Sequence, residues 1–141
     1  MGGGFTMIIL SIKTDQPQAE LGLFNVQGRT SHMQLAYVKW QAHRKLADTI
    51  HLKLQKLLSL QGRALQDVKG IVCFKGPGSF TGLRIGLSVA NALADVQGIP
   101  VVARQGQNWL KPGIKDLLSG RNDRIATPYY DRPAATSRPK S

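Results

Sequence analysis

The densest group of residues with chemical potential is the glycine-rich stretch 76–86, which reads GPGSFTGLRIG. Glycines around a proline allow a tight turn, and the free N–H groups at the start of a following helix could hold a phosphate. The spacing matches neither the Walker motif, since no Lys-Ser or Lys-Thr follows the last glycine, nor the dinucleotide-binding motif. A structural turn with a serine helix cap is therefore the simpler interpretation. The candidate phosphate-binding residues are Gly76, Gly78, Ser79 and Thr81.

Other sequence patterns that would indicate catalysis are missing. His43 and His51 are eight residues apart, too far along a helix to share a metal ion, and no paired cysteines accompany them. The 8 carboxylates are scattered, and none forms a local pair for general acid–base chemistry. Ser79 has no base near it in sequence and does not lie in a G-x-S-x-G elbow. We therefore expect neither a catalytic group nor a metal site in this chain.

Basic residues outnumber acidic ones, with 19 Lys and Arg against 8 Asp and Glu and a formal net charge of +11. Such an excess attracts a polyanion or an acidic protein surface. Lys45, Lys53 and Lys56 form a stripe along one predicted helix and are the candidate nucleic-acid contacts, with a solvated helix face as the alternative. Aromatic residues, at 6%, are too few for a platform that stacks single-stranded bases.

The single cysteine, Cys73, lies inside an apolar run, which excludes an internal disulfide and fits a reducing compartment. The sequence has no apolar run long enough to span a membrane, and residues 1–4 lack the basic start and apolar core of a signal peptide. We expect a cytoplasmic protein without membrane attachment. Met7 could be the functional start, with residues 1–6 as a disordered leader.

Hydrophobic periodicity predicts the elements that position these residues. Strands joined by short turns pair antiparallel, whereas strands separated by helices pair parallel through right-handed crossovers. The result is an α/β fold with a mixed five-stranded sheet and packed helices. The predicted order is β-β-β-α-β-α-β, with strands at 7–12, 19–24, 34–40, 71–74 and 101–103 and helices at about 41–60 and 79–96.

The chain changes character after the last predicted strand. Residues 105–120 form a short irregular or helical segment, because the apparent helix at 108–118 contains Pro112-Gly113. Residues 121–141 form a basic, proline-containing tail with five basic and two acidic side chains. We expect this tail to be mobile or draped over the domain.

The helix predicted after the glycine-rich turn carries a ridge of small residues. Gly82, Gly86, Ala90 and Ala94 recur every four positions and therefore share one face. Such a ridge lets another helix approach closely, and in a small domain that helix could belong to a second chain. A bulky residue at position 86 is then expected to abolish association.

The string GPGSFTGLRIG also resembles the signature of the TsaB (YeaZ) family, the platform subunit of the bacterial machinery that makes threonylcarbamoyladenosine beside the anticodon of certain tRNAs. The first strand, the leucine-rich helix around 43–60 and the stretch 98–101 stand in family order, and residues 125–140 weakly resemble the family's C-terminal tail. The resemblance covers residues 7–104 plus that tail. It implies an actin-like (ASKHA, RNase H-like) fold, of which residues 7–104 are the N-terminal lobe.

The resemblance further implies a non-catalytic scaffold subunit. It would pair with a TsaD-like catalytic subunit, alongside a TsaE-like ATPase, with tRNA held by the complex and ATP and magnesium expected there. The implied pairing surface is formed by the helices at 43–60 and 79–96. Its implied contacts are Leu46, Ile50, Leu54, Gly82, Leu83, Gly86, Leu87 and Ala90.

Two features depart from the family pattern. Lys13 takes the place of an aspartate that relatives usually keep at the end of the first strand, and a cation cannot coordinate magnesium. The chain also leaves almost no room for the family's second lobe between residues 105 and 125. Two alternatives stay open: a small nucleotide-binding transferase or ATPase-like enzyme that uses the loop at 76–82, and a homodimeric interaction module without a catalytic partner.

Overall fold

The computed structural model describes residues 6–28 and 31–129. Its strands are β1 (Thr6–Lys13), β2 (Gln18–Gln27), β3 (Ser31–Gln41), β4 (Val68–Phe74) and β5 (Val101–Arg104). Its helices are α1 (Leu46–Leu60), α2 (Phe80–Gln97) and α3 (Leu110–Leu118), with 3-10 turns at His43–Lys45 and Leu65–Asp67. Residues 1–5 of the predicted leader and residues 130–141 of the predicted tail lie outside the described residues.

The five strands form one mixed sheet in the order β3-β2-β1-β4-β5. β1 pairs antiparallel with β2 and parallel with β4, while β2 pairs antiparallel with β3 and β4 pairs parallel with β5. The predicted sheet, including its strand directions, is confirmed. β1 is apolar along nearly its whole length because it is central and both of its faces are covered, with Ile9 and Leu10 fully buried.

Helices cover both faces of the sheet. Side chains alternate along β1, so Leu10 and Ile12 pack in the larger core beneath α1 and α2, and Ile9 packs in the smaller core beneath α3. Cys73 is fully buried in the larger core, as predicted, and burial raises the pKa of its thiol. None of the helices in the described part of the chain has the length and hydropathy needed to cross a bilayer.

The third helix runs through the predicted interruption at Pro112-Gly113. Pro112 lies in the first turn of α3, where a backbone N–H has no helical partner and its loss is tolerated. Gly113 faces the sheet, and a Cβ at this position would collide with the side chain of Val72. The glycine therefore allows α3 to lie close against β4.

The segment after α3 runs back along the outer edge of β5. The N–H of Asp123 donates to the carbonyl of Val101 at 2.8 Å, and the N–H of Ala103 donates to Asp123 Oδ2 at 2.9 Å. Arg104 contacts the carboxylates of Asp116 and Asp123, each at 2.8 Å. Burial opposes ionisation of Asp123, but its bonds to Ala103 and Arg104 outweigh burial and hold its pKa below the usual range. The segment thus pairs edge groups that a sixth strand would otherwise pair.

One asparagine on α2 holds the same segment from the other side. Asn91 Nδ2 donates to the carbonyl of Ala126 at 3.0 Å, and Asn91 Oδ1 accepts from the N–H of Ala126 at 2.7 Å. Ala126 is buried, so both of its backbone groups depend on this side chain for hydrogen bonds. Further on, the N–H of Tyr129 donates to the carbonyl of Lys75 at 2.8 Å, which brings the segment to the glycine-rich turn.

The substitution Asn91→Ala leaves the buried N–H and carbonyl of Ala126 without these partners. We expect it to lower the free energy of unfolding by about 1–3 kcal/mol, measured by urea denaturation. Ser88→Ala, at an exposed position of the same helix, is the matched control and should have little effect. Equal stability of the two variants would mean that the side chain of Asn91 does not hold the segment.

Candidate functional site

The glycine-rich turn joins β4 to α2 and packs against the turn that follows β1. Gly76 has a φ of 124°, a conformation that side chains with a Cβ rarely adopt, and the Gly76-Pro77 peptide is cis. α2 begins at Phe80, with Ser79 as its N-cap residue. The predicted side-chain cap is wrong, because the Ser79 hydroxyl makes no capping hydrogen bond within the described residues.

The small ridge on α2 faces Thr14, the residue that follows β1. Thr14 is buried, and its hydroxyl donates to the carbonyl of Gly82 at 2.7 Å. A Cβ at Gly82 would collide with the Thr14 carbonyl oxygen, and a Cβ at Gly86 would collide with the Thr14 hydroxyl. The ridge therefore exists, but the structure corrects its predicted orientation, because its packing partner belongs to the same chain.

The other predicted interface residues also lie in the core of this chain. They are Leu46, Ile50, Leu54, Leu83, Leu87 and Ala90, all buried beneath α1 and α2. Side chains this deeply buried can offer little area to a partner while the helices stay on the sheet. Any partner-binding surface of these helices must therefore be formed mainly by other residues.

An open groove between α1 and α2 provides such a surface. Its cavity volume is about 540 Å³, with exposed polar side chains at the rim and leucines at the floor. We name it the interhelix groove, and its lining includes His51, Leu54, Gln55, Leu58, Ser59, Arg63, Leu65 and Leu93. The same two helices carry four large exposed apolar side chains, Leu52, Leu60, Phe80 and Val96.

The end of β1 carries an ion pair that lies against the glycine-rich turn. Lys13 Nζ is 2.6 Å from Asp15 Oδ1 and 4.7 Å from the centre of the Phe74 ring. Asp15 is buried and packs so closely on Gly78 that a Cβ there would collide with the Asp15 Cβ. The N–H of Ser79 donates to the carbonyl of Asp15 at 3.1 Å. The candidate phosphate loop is thus packed against the Asp15 side chain, which occupies the space beside Gly78.

Magnesium does not fit this arrangement. The Lys13 ammonium holds the Asp15 carboxylate, the ligand that a divalent cation would require. Over residues 6–28 and 31–129, no group of three or more His, Cys, Asp and Glu side chains could hold a metal ion. The departure from the family pattern at Lys13 therefore has a structural counterpart in the ion pair of Lys13 with Asp15.

The three lysines predicted to contact nucleic acid have different surroundings. Lys53 Nζ lies 5.9 Å from the centre of the Trp40 ring, towards β3. Lys45 belongs to the 3-10 turn at 43–45, whose three residues all line a second cavity of about 750 Å³. Lys56 is exposed and lines neither cavity. The run His-Arg-Lys was visible in the sequence, but its place beside a cavity depends on contacts between distant segments.

Comparisons with known proteins relate the chain to one group. The family model described as "TsaD: tRNA N6-adenosine threonylcarbamoyltransferase" matches residues 40–105. The protein TsaB of Escherichia coli (strain K12) is 29% identical over 131 residues, which are 88% of this chain and 54% of that protein. TsaB of Bacillus subtilis (strain 168) is 33% identical over 126 residues, which are 89% of this chain and 50% of that protein. The chain thus spans about half the length of these curated relatives.

Solved structures agree with the predicted fold. YeaZ from Pseudomonas aeruginosa has a TM-score of 0.59 and 26% identity, and the match covers 70% of this chain and 44% of that one. RuvC of Thermus thermophilus has a TM-score of 0.52 at 14% identity, covering 70% and 64%, which is a likeness of fold alone. The predicted actin-like, RNase H-like lobe is confirmed.

The substitution Gly86→Leu tests the packing of α2 on Thr14. Because the new side chain would overlap the Thr14 side chain, we expect a loss of about 3 kcal/mol or more in the free energy of unfolding. Ser88→Leu, at an exposed position of the same helix, is the control and should stay close to the wild type. Wild-type stability of Gly86→Leu would refute the close approach, and a large loss would make this variant unsuitable for testing association.

The substitution Lys13→Met tests the ion pair at the end of β1. It leaves the buried carboxylate of Asp15 without its cation, so we expect a loss of about 1–3 kcal/mol by urea denaturation, less than for a fully buried pair because Lys13 is partly exposed. Lys39→Met, at an exposed position of β3, is the control. The pair would be shown to be unimportant for stability if both variants unfolded at the same urea concentration.

Proposed function

Because the chain is related to the TsaB (YeaZ) family, we propose that it is a non-catalytic scaffold subunit in the threonylcarbamoyladenosine modification of tRNA. In this role it acts in the cytoplasm and pairs with a TsaD-like catalytic subunit, alongside a TsaE-like ATPase. The observation that carries the proposal is the match to TsaB over 88% of the chain, which includes the glycine-rich turn and both helices of the larger core.

The surroundings of the glycine-rich turn support a non-catalytic role. Asp15 fills the space beside Gly78 and is paired with Lys13, so its carboxylate is not available to a divalent cation that would accompany a nucleotide. Ser79 directs its N–H to a backbone carbonyl. These contacts favour a scaffold over the alternative of a small nucleotide-dependent transferase.

The interhelix groove is the pairing surface in this proposal. Protein interfaces typically have an apolar centre surrounded by a polar rim, and this groove has leucines at its floor and exposed polar side chains above them. The exposed Leu52, Leu60 and Val96 add apolar area on the same helices. The buried residues that the resemblance implied as contacts act from below, because they hold α1 and α2 against the sheet.

The pairing is tested by light scattering on a sizing column, with the chain alone and mixed with the TsaD-like subunit of the same genome. We expect a one-to-one complex that the double substitution Gln55→Arg and Ser59→Arg weakens at least about tenfold, since two long cations would fill the groove. Gln107→Arg with Asn108→Arg adds the same charge at exposed positions before α3 and should leave the complex intact. Circular dichroism confirms that each variant is folded.

Two other outcomes would contradict the proposal. A persistent homodimer that ignores the TsaD-like subunit would favour the interaction module without a catalytic partner. Binding of ATP to the isolated chain with hydrolysis would favour the enzyme alternative. If the wild type and the groove variant form the complex equally well, the scaffold role stands and the pairing surface lies elsewhere.

A further inference from the structure

We propose that the second cavity, where the segments before α1 and α2 meet, binds the phosphate backbone of RNA. We name it the cationic groove. Arg44 and Lys45 supply its positive charge, and Gln41, His43, Ser79 and Thr81 add polar side chains. Its volume of about 750 Å³ exceeds that of the interhelix groove, at about 540 Å³.

Among residues 6–28 and 31–129, no ion pair compensates the charge of Arg44 and Lys45. Its lining contains no carboxylate, and Arg44 and Lys45 are exposed. Ion pairs among the described residues involve other basic side chains, namely Lys13, Arg104 and Arg121. Cations that have no partner within the protein keep their full attraction for an external anion.

Backbone hydrogen bonds hold the segment that carries these side chains in place. The N–H groups of Ala42 and His43 both donate to the carbonyl of Pro17, at 2.9 and 3.2 Å. These bonds tie the 3-10 turn at 43–45 to the turn after β1, which itself packs on α2. His43 has a φ of 46°, so the surrounding contacts hold it in a conformation that residues other than glycine rarely adopt. Arg44 and Lys45 therefore follow a backbone segment whose position is fixed by hydrogen bonds.

The polar and charged part of the lining indicates the kind of ligand. The apolar lining residues are Ala42 and Leu46, which are buried, with Pro17, which is exposed, and Ile85, which is half-buried. Nucleic-acid backbones are bound mainly through charge and polar contacts, which Arg44, Lys45 and the neighbouring polar side chains offer. The buried carboxylate of Asp15 is paired with Lys13 and adds little repulsion. Charge complementarity therefore favours an RNA backbone as the ligand, and the competition experiment below separates it from an acidic protein segment.

This inference replaces the predicted stripe of Lys45, Lys53 and Lys56 by a compact site that keeps only Lys45. It rests on the proposed function only in naming tRNA as the RNA in question. Binding of an RNA backbone to the chain alone needs no TsaD-like partner.

The experiment is fluorescence anisotropy of the full chain with an unmodified, labelled tRNA transcript at several KCl concentrations. We expect Arg44→Glu with Lys45→Glu to weaken binding about tenfold or more and to reduce the salt slope by about 2, because two phosphate contacts are lost. Lys111→Glu with Lys115→Glu makes the same change in net charge at exposed positions of α3, on the opposite face of the sheet, and should change affinity by less than about threefold. Thermal unfolding checks that both variants remain folded.

Equal losses in the two variants would overturn the proposal, because affinity would then follow net charge and not this groove. Undiminished binding in both would overturn it as well, and so would competition by poly-glutamate as strong as that by unlabelled tRNA. If the groove variant loses tRNA binding while the wild type forms no complex with the TsaD-like subunit, the scaffold role fails and this inference stands. If the complex forms and the groove variant binds tRNA like the wild type, only this inference fails.

Discussion

The close packing of α2 on the turn after β1 is the contact on which the rest of the structure depends. Gly82 and Gly86 bring the helix backbone against Thr14, and the hydroxyl of Thr14 donates to a carbonyl of the helix. This contact sets the position of α2 on the sheet and presses the glycine-rich turn onto Asp15. Both grooves include residues of α2 in their lining, so their shapes follow from it. Because Gly82 and Gly86 have no Cβ, α2 can lie in this position, and the positions of both grooves depend on it.

The two faces of the sheet carry different structural features. The face under α1 and α2 carries both grooves, whereas the face under α3 is covered by a smaller core and by the clasp of Arg104 with Asp116 and Asp123. This clasp and Asn91 stabilise the edge of β5 without touching either groove. Substitutions on the α3 side can therefore serve as controls for charge and stability, which makes the two proposals separable by experiment.

The sequence predicted the sheet, its strand directions and two helices because alternation and the four-residue period record which side chains are buried. It did not predict which residues pack against a given face of a helix. A spacing of four put Gly82 and Gly86 on one ridge, but only the fold brings Thr14 against it, 68 residues away in the chain. The clasp at Asp123 and the groove beside Arg44 were missed for the same reason, since each joins segments that are distant in sequence. Pro112 misled because a proline stops a helix only beyond its first turn.

The segment that covers the edge of β5 also affects how the protein folds during its synthesis. Residues 121–126 are synthesised after everything they cover, so on the ribosome the sheet can assemble before its last edge has a partner. During that interval the N–H groups of Val101 and Ala103 are open to pairing with strands of other nascent chains. The edge of β5 therefore stays open until residues 121–126 have emerged, and the rate at which they emerge decides how long it can pair with another chain.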